Sequence, residues 1–108
     1  MKKIILENYS LTIGKNASDN WDILDRAQND DMFFHLSHFP SPYVILSGFT
    51  HIDKDIIYTA ATCCKQHSKY KNIRNIRVDY CLCSNLTKGE QVGSVYYNSN
   101  RQVKNIIV

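Results

Sequence analysis

Two short apolar runs, Met32–Leu36 and Tyr43–Ser47, are bounded by turn residues, which is how buried β-strands read. Proline has no N–H to donate, so Pro40 and Pro42 confine the connection between these strands. The start predicts a hairpin, Lys2–Glu7 and Leu11–Lys15, around the turn residues Asn8-Tyr9-Ser10. Trp21, Leu24 and Ala27 recur at helical spacing and predict a helix over residues 19–28 capped by Asn16 or Ser18. A longer helix is predicted from Asp53 to about Ser68. There Ile56, Ile57, Ala60, Ala61 and Cys64 make one stripe, with Lys54, Lys65 and Lys69 off it.

Beyond the second helix, Arg77–Ser84 alternates Val78, Tyr80 and Leu82 against Arg77, Asp79, Cys81 and Cys83, as a strand does. Lys88-Gly89-Glu90 reads as a turn, Val92–Tyr97 as a strand, Asn98-Ser99-Asn100 as a hairpin turn and Gln102–Val108 as the last strand. The predicted order is β-β-α-β-β-α-β-β-β. This is an α+β fold, a mostly antiparallel sheet of about six to seven strands with two main helices. Residues 1–108 hold no repeat, linker or low-complexity tract and are expected to form a single domain.

A 44% apolar and 21% charged composition is that of a soluble globular chain, with no run long enough to span a membrane. The three apolar residues after Lys2-Lys3 are too few for a secretory signal, so a cytoplasmic location is expected. Charge sharpens the picture. KQHSKYKNIRNIR, residues 65–77, holds Lys65, Lys69, Lys71, Arg74 and Arg77 and no acid, leaving the rest of the chain net acidic. Residues 19–31 lean the other way, with five aspartates against Arg26 alone. Cations near a helix C-terminus suit the macrodipole, but five of them with His67 and Tyr70 interleaved exceed that need. Such a surface suits phosphate contacts, with aromatic planes for unpaired bases.

Catalytic and metal readings fare worse. Adjacent Asp30 and Asp31 would point to opposite faces of a strand, and at a helix exit they read as a solvated turn. His35 and His38 lack the third member of a triad. Cys63 or Cys64 with His67 is a helical i, i+3 or i+4 pair, yet Cys64 lies on the apolar stripe, where a thiol is inert. Cys81 and Cys83 lack the paired Cys-x-x-Cys spacing of a zinc site. Gly14-Lys15-Asn16 lacks the other glycines of a phosphate-binding loop. No enzymatic activity, metal or cofactor is expected.

The ordered motifs resemble those of the NFACT-R domain, the RNA-binding-type module of ribosome-quality-control proteins of the NFACT/RqcH type. Gly14-Lys15-Asn16 followed by Asn20, Asp22 and Leu24 matches its first motif. The second is matched by Asp31-Met32-Phe33-Phe34-His35 and Ser41-Pro42-Tyr43-Val44-Ile45-Leu46. Ala60-Ala61, Val78-Asp79-Tyr80, Gly93-Ser94-Val95-Tyr96-Tyr97 and the apolar Val103, Ile106 and Val108 complete the set. Phe33 stands for the family's usual tryptophan, and Tyr43 stands where its second signature histidine is expected.

The resemblance implies a stand-alone module that binds structured RNA, tRNA or rRNA, in translation or ribosome quality control. The residues expected to touch nucleic acid are Lys15, His35, Tyr43, Lys65, Lys69, Lys71, Arg74 and Arg77, with Phe33 beside them. DNA in place of RNA, a ribosome-bound position, and a monomer or homodimer all stay open. So does a protein-interaction module that docks an acidic partner on its basic edge.

Overall fold

The computed structural model describes all 108 residues. Six strands form one antiparallel sheet in the order β1-β2-β4-β3-β5-β8: β1 (Lys2–Ile5), β2 (Ser10–Ile13), β3 (Met32–Leu36), β4 (Val44–Ser47), β5 (Arg77–Leu82) and β8 (Lys104–Ile107). Helix α1 (Ala17–Arg26) follows β2 and helix α2 (Lys54–Gln66) follows β4. A separate hairpin pairs β6 (Leu86–Lys88) with β7 (Val95–Tyr97). The two uninterrupted apolar runs become β3 and β4 because these are the central strands, covered on both faces.

The two faces bury different chemistry. On one, Leu11, Ile13, Phe34, Leu36, Val44, Leu46 and Val78 meet Ala60, Ala61 and Cys64 of α2. Those three small residues are fully buried and let the helix close onto the sheet. On the other face, Phe33, Tyr43, Ile45 and Cys81 meet Ile23 of α1 and the inner side of the β6–β7 hairpin, with Leu86, Val95 and Tyr97. Adjacent strand residues point to opposite faces, so Phe33 and Phe34 serve different cores.

The fold class and the broad order of elements are as the sequence predicts, with local differences. Helix α1 begins at Ala17, and it buries Asn20 and Ile23 while Trp21, Leu24 and Ala27 are only half-covered. Trp21 instead donates its indole N–H to the Ser94 carbonyl at 2.9 Å, clamping the hairpin to the helix. Asp31 is buried, not solvated: its carboxylate accepts from the Gln28 N–H at 2.9 Å and its carbonyl from the Cys83 N–H. Strand β5 stops at Leu82, and a 3-10 turn over Cys83–Asn85 lifts the chain off the sheet into β6. Asn98-Ser99-Asn100 makes no hairpin turn, because β7 and β8 lie in different sheets. The Asn85 amide instead ties this crossing, donating to the Ser99 carbonyl while its oxygen accepts the Ser99 N–H, both at 2.9 Å.

Candidate nucleic-acid interface

Antiparallel register decides what meets at the ends of the sheet. Lys2 lies across from Ile13, Ile13 from Val44, Leu36 from Val78 and Arg77 from Ile107. One end of the sheet therefore gathers the start of β1, the end of β2, the end of β3 and the start of β5. Helix α1 begins at this end, since it follows β2 after three residues, and α2 finishes there, with His67 beside Lys2. A cleft of about 660 Å³ opens between them. Its walls come from residues 13–17, 40–43 and 67–70 and from Lys2, with Asn20, His35 and Gly93 also lining it.

The Gly14-Lys15-Asn16 turn is shaped by Asn20. The Asn20 amide oxygen accepts from the Tyr43 N–H at 3.1 Å and packs so close to Gly14 that a Cβ there would sit 1.9 Å from it. Glycine is required by this approach, not by its backbone angles. Asn16 caps α1, its side chain accepting from the Asp19 N–H at 2.8 Å. The Asp19 carboxylate turns back to the Lys15 N–H at 2.8 Å and to the Met1 amine at 3.0 Å. Those hydrogen bonds and the nearby amine hold its pKa below the usual carboxylate range. Lys15 is left exposed at the mouth.

Aromatic and imidazole rings make the floor. Tyr43 is 3% exposed, with its ring edge-on to Phe33 and His35. Its hydroxyl donates to the Gly93 carbonyl and its pKa is pushed up to about 12 by burial. Tyr43 thus ties β4 to the hairpin loop, and its hydrogen-bonding group is already committed. His35 lines the cleft opposite Asp79 in the register. Burial lowers its pKa below the ordinary imidazole value, outweighing the raising effects of the Leu36 backbone and Asp79. At neutral pH it is an uncharged ring with one donor and one acceptor nitrogen.

The cations divide into three groups. Lys15 and Lys69 line the cleft. Lys71, Arg74 and Arg77 are exposed on the segment leading away from it into β5. Lys65 is half-buried, and its ammonium donates to the Val108 carbonyl at 3.1 Å, so it holds the last strand in place and does not reach the cleft. Lys2, which the sequence reading did not single out, and His67, noted there only as interleaved in the basic run, complete the ring. The Lys2 ammonium lies 3.3 Å from His67 Nε2, and His67 Nδ1 lies 2.8 Å from the Cys63 carbonyl. A carbonyl only accepts, so His67 Nδ1 is the donor to Cys63, and Nε2 faces the Lys2 ammonium. No local signal links residues 65 positions apart; only the end-of-sheet geometry does. All four thiols are shifted upward by burial, Cys64 and Cys83 to about 12, and none is an activated nucleophile.

Fold and cleft together define an α+β module with a basic, aromatic-floored end. The sequence model of the NFACT protein RNA binding domain matches residues 4–99, and the chain belongs to that family. None of the curated proteins compared with the chain matches it. Among solved structures, it is similar to the C-terminal part of the fibronectin/fibrinogen-binding protein from Streptococcus suis, with TM-score 0.83 and 22% identity over 93% of this chain. That likeness is one of fold. This chain spans 40% of the solved one. No helix is long and apolar enough to cross a membrane.

Proposed function

We propose that residues 1–108 act as one non-catalytic module that binds structured RNA, tRNA or rRNA, through the basic end of the sheet, in a cytoplasmic translation or ribosome-quality-control setting. The observation that carries this reading is convergence: Lys2, Lys15 and Lys69, from three separated segments, surround one cleft. Exposed Lys71, Arg74 and Arg77 extend the positive surface from it. Membership of an RNA-binding family agrees with that arrangement. Phosphate contacts by lysine and arginine release counterions, so affinity should fall linearly with salt on a log–log plot.

Fluorescence anisotropy with labelled tRNA, titrated across salt, tests the reading. Replacing Lys71, Arg74 and Arg77 together by glutamate should weaken binding and flatten the slope by about 2–3 units. An unchanged affinity and slope would contradict it. A protein partner captured equally well after nuclease treatment, with no affinity for RNA, would favour docking of an acidic protein instead.

A further inference from the structure

We propose that the cleft holds a single unpaired nucleotide of the RNA, while the exposed Lys71–Arg77 segment grips the paired backbone beside it. This rests on the RNA-binding reading and adds what the cleft recognises. A concave site of about 660 Å³ falls within the ~300–1,000 Å³ range of sites for small molecules, and a helix cannot enter it.

The chemistry of its walls matches the parts of one nucleotide. Lys2, Lys15 and Lys69 line the cleft from three separated segments, and a lysine ammonium is a point charge that pairs with phosphate. Tyr70 lines the cleft and carries the half-exposed Phe39 on its ring, with centroids 4.5 Å apart and planes tilted by 34°. The pair makes an aromatic shoulder at the mouth, of the kind on which an unpaired base stacks. No buried core demands Phe39, which stands 38% exposed at the end of the turn after β3. Neutral His35, one ring nitrogen of which is engaged by the Leu36 backbone, offers its other nitrogen to a base edge without the desolvation cost of burying a cation. A base paired inside a helix has both faces covered by its stacked neighbours and cannot reach this shoulder.

The test compares three RNAs sharing one labelled stem: a blunt duplex, the same duplex with one unpaired 3′ nucleotide, and the duplex with a single-nucleotide bulge. At least one unpaired form should bind roughly five- to a hundredfold tighter than the blunt duplex, the span that stacking one base contributes. Which of the two does so separates a strand end from a bulge as the source. The ratio of unpaired to blunt affinity should collapse toward one in Phe39→Ala and in the Lys15→Gln/Lys69→Gln double variant. All three positions are exposed, and an unfolding midpoint checks that each variant folds. Arg74→Glu should lower both affinities and keep the ratio. Equal binding of blunt and unpaired forms, or a ratio that survives the cleft substitutions, overturns the proposal while leaving RNA binding intact. No binding to any of the three RNAs overturns both.

Discussion

The two ends of the sheet are built from the same strands and differ in charge balance. At the cleft end stand Lys2, Lys15, Lys69, Lys71, Arg74 and Arg77, with the positive end of the α1 dipole among them. At the far end acids outnumber cations: Glu7 follows β1, Asp30 and Asp31 precede β3, and Asp53 and Asp55 open α2, against Arg26 at the end of α1 and Lys54 at the start of α2. The acids there have structural work: Asp53 accepts from the Ile56 N–H at 2.9 Å as the cap of α2, and Asp31 holds the turn before β3. Comparable structural work at the cleft end is done by uncharged Asn16 and Asn20, together with Asp19. A charge difference along the strand axis orients an approaching polyanion toward one end before any contact forms.

Charge reversal should expose this asymmetry most strongly. With Lys71, Arg74 and Arg77 changed to glutamate, a slope flatter by 2–3 units means that the native chain loses roughly 15- to 60-fold more affinity than the variant between 50 and 200 mM salt. Three reversals to lysine at the far end, at the exposed Glu7, Asp30 and Asp55, should leave the slope within error. A steeper slope from those far-end lysines would mean that RNA contacts both ends.

Glycine substitutions sharpen the contrast next. Gly14→Ala should cost about 1–3 kcal/mol in urea unfolding, because the new methyl displaces Asn20 from the Tyr43 N–H, and should weaken RNA binding as the cleft wall shifts. At the far end Gly48 has φ +78°, so Gly48→Ala should cost about 1–2 kcal/mol through the backbone alone and spare binding. Gly48→Asn should recover part of that loss, while Gly14→Asn should be worse than alanine.

How much of this could be read from the sequence depended on whether the cause was local. Strands β3 and β4 and helix α2 were legible because hydrophobic runs and a stripe of small residues act within a few positions. The buried side of α1 was not, since its key residue, Asn20, is polar and is buried only because Tyr43 supplies a hydrogen-bond donor. Strand β7 was legible within Val92–Tyr97, but its partner β6 and the hairpin's separation from the main sheet were not, for a similar reason. The hairpin's place is set by Trp21 and Tyr43 reaching the Gly93–Ser94 backbone, contacts spanning 50 to 73 residues. Of the expected nucleic-acid residues, Lys15, His35, Tyr43 and Lys69 meet at the cleft, whereas Lys65 turned inward to the Val108 carbonyl. His67 and Tyr70 stood out within the basic run, but Lys2 and the Phe39 partner of Tyr70 have no local signature.

Smaller effects come from the caps. Asn16→Ala and Asp53→Ala should each cost about 1 kcal/mol of stability, yet only Asn16→Ala should lower RNA affinity. The smallest effect is a pH dependence. The folded-state pKa of His35 lies below its unfolded value of 6.5, so the unfolded chain takes up a proton first as pH falls. The stability His35 contributes is therefore complete above about pH 6.5 and is lost as pH falls toward the folded value. His35→Gln should remove that part of the slope in urea unfolding measured from pH 7.5 to 5, and an unaltered slope would show that the ring is not desolvated.

The central claim, that RNA is held at the cleft end of the sheet, is tested most directly by amide chemical shifts of the labelled protein titrated with tRNA. Perturbations should concentrate at residues 2, 14–16, 35–43 and 67–77, with residues 6–9, 28–31 and 48–56 unmoved. Perturbations centred on the far end, or on the β8 edge alone, would contradict it.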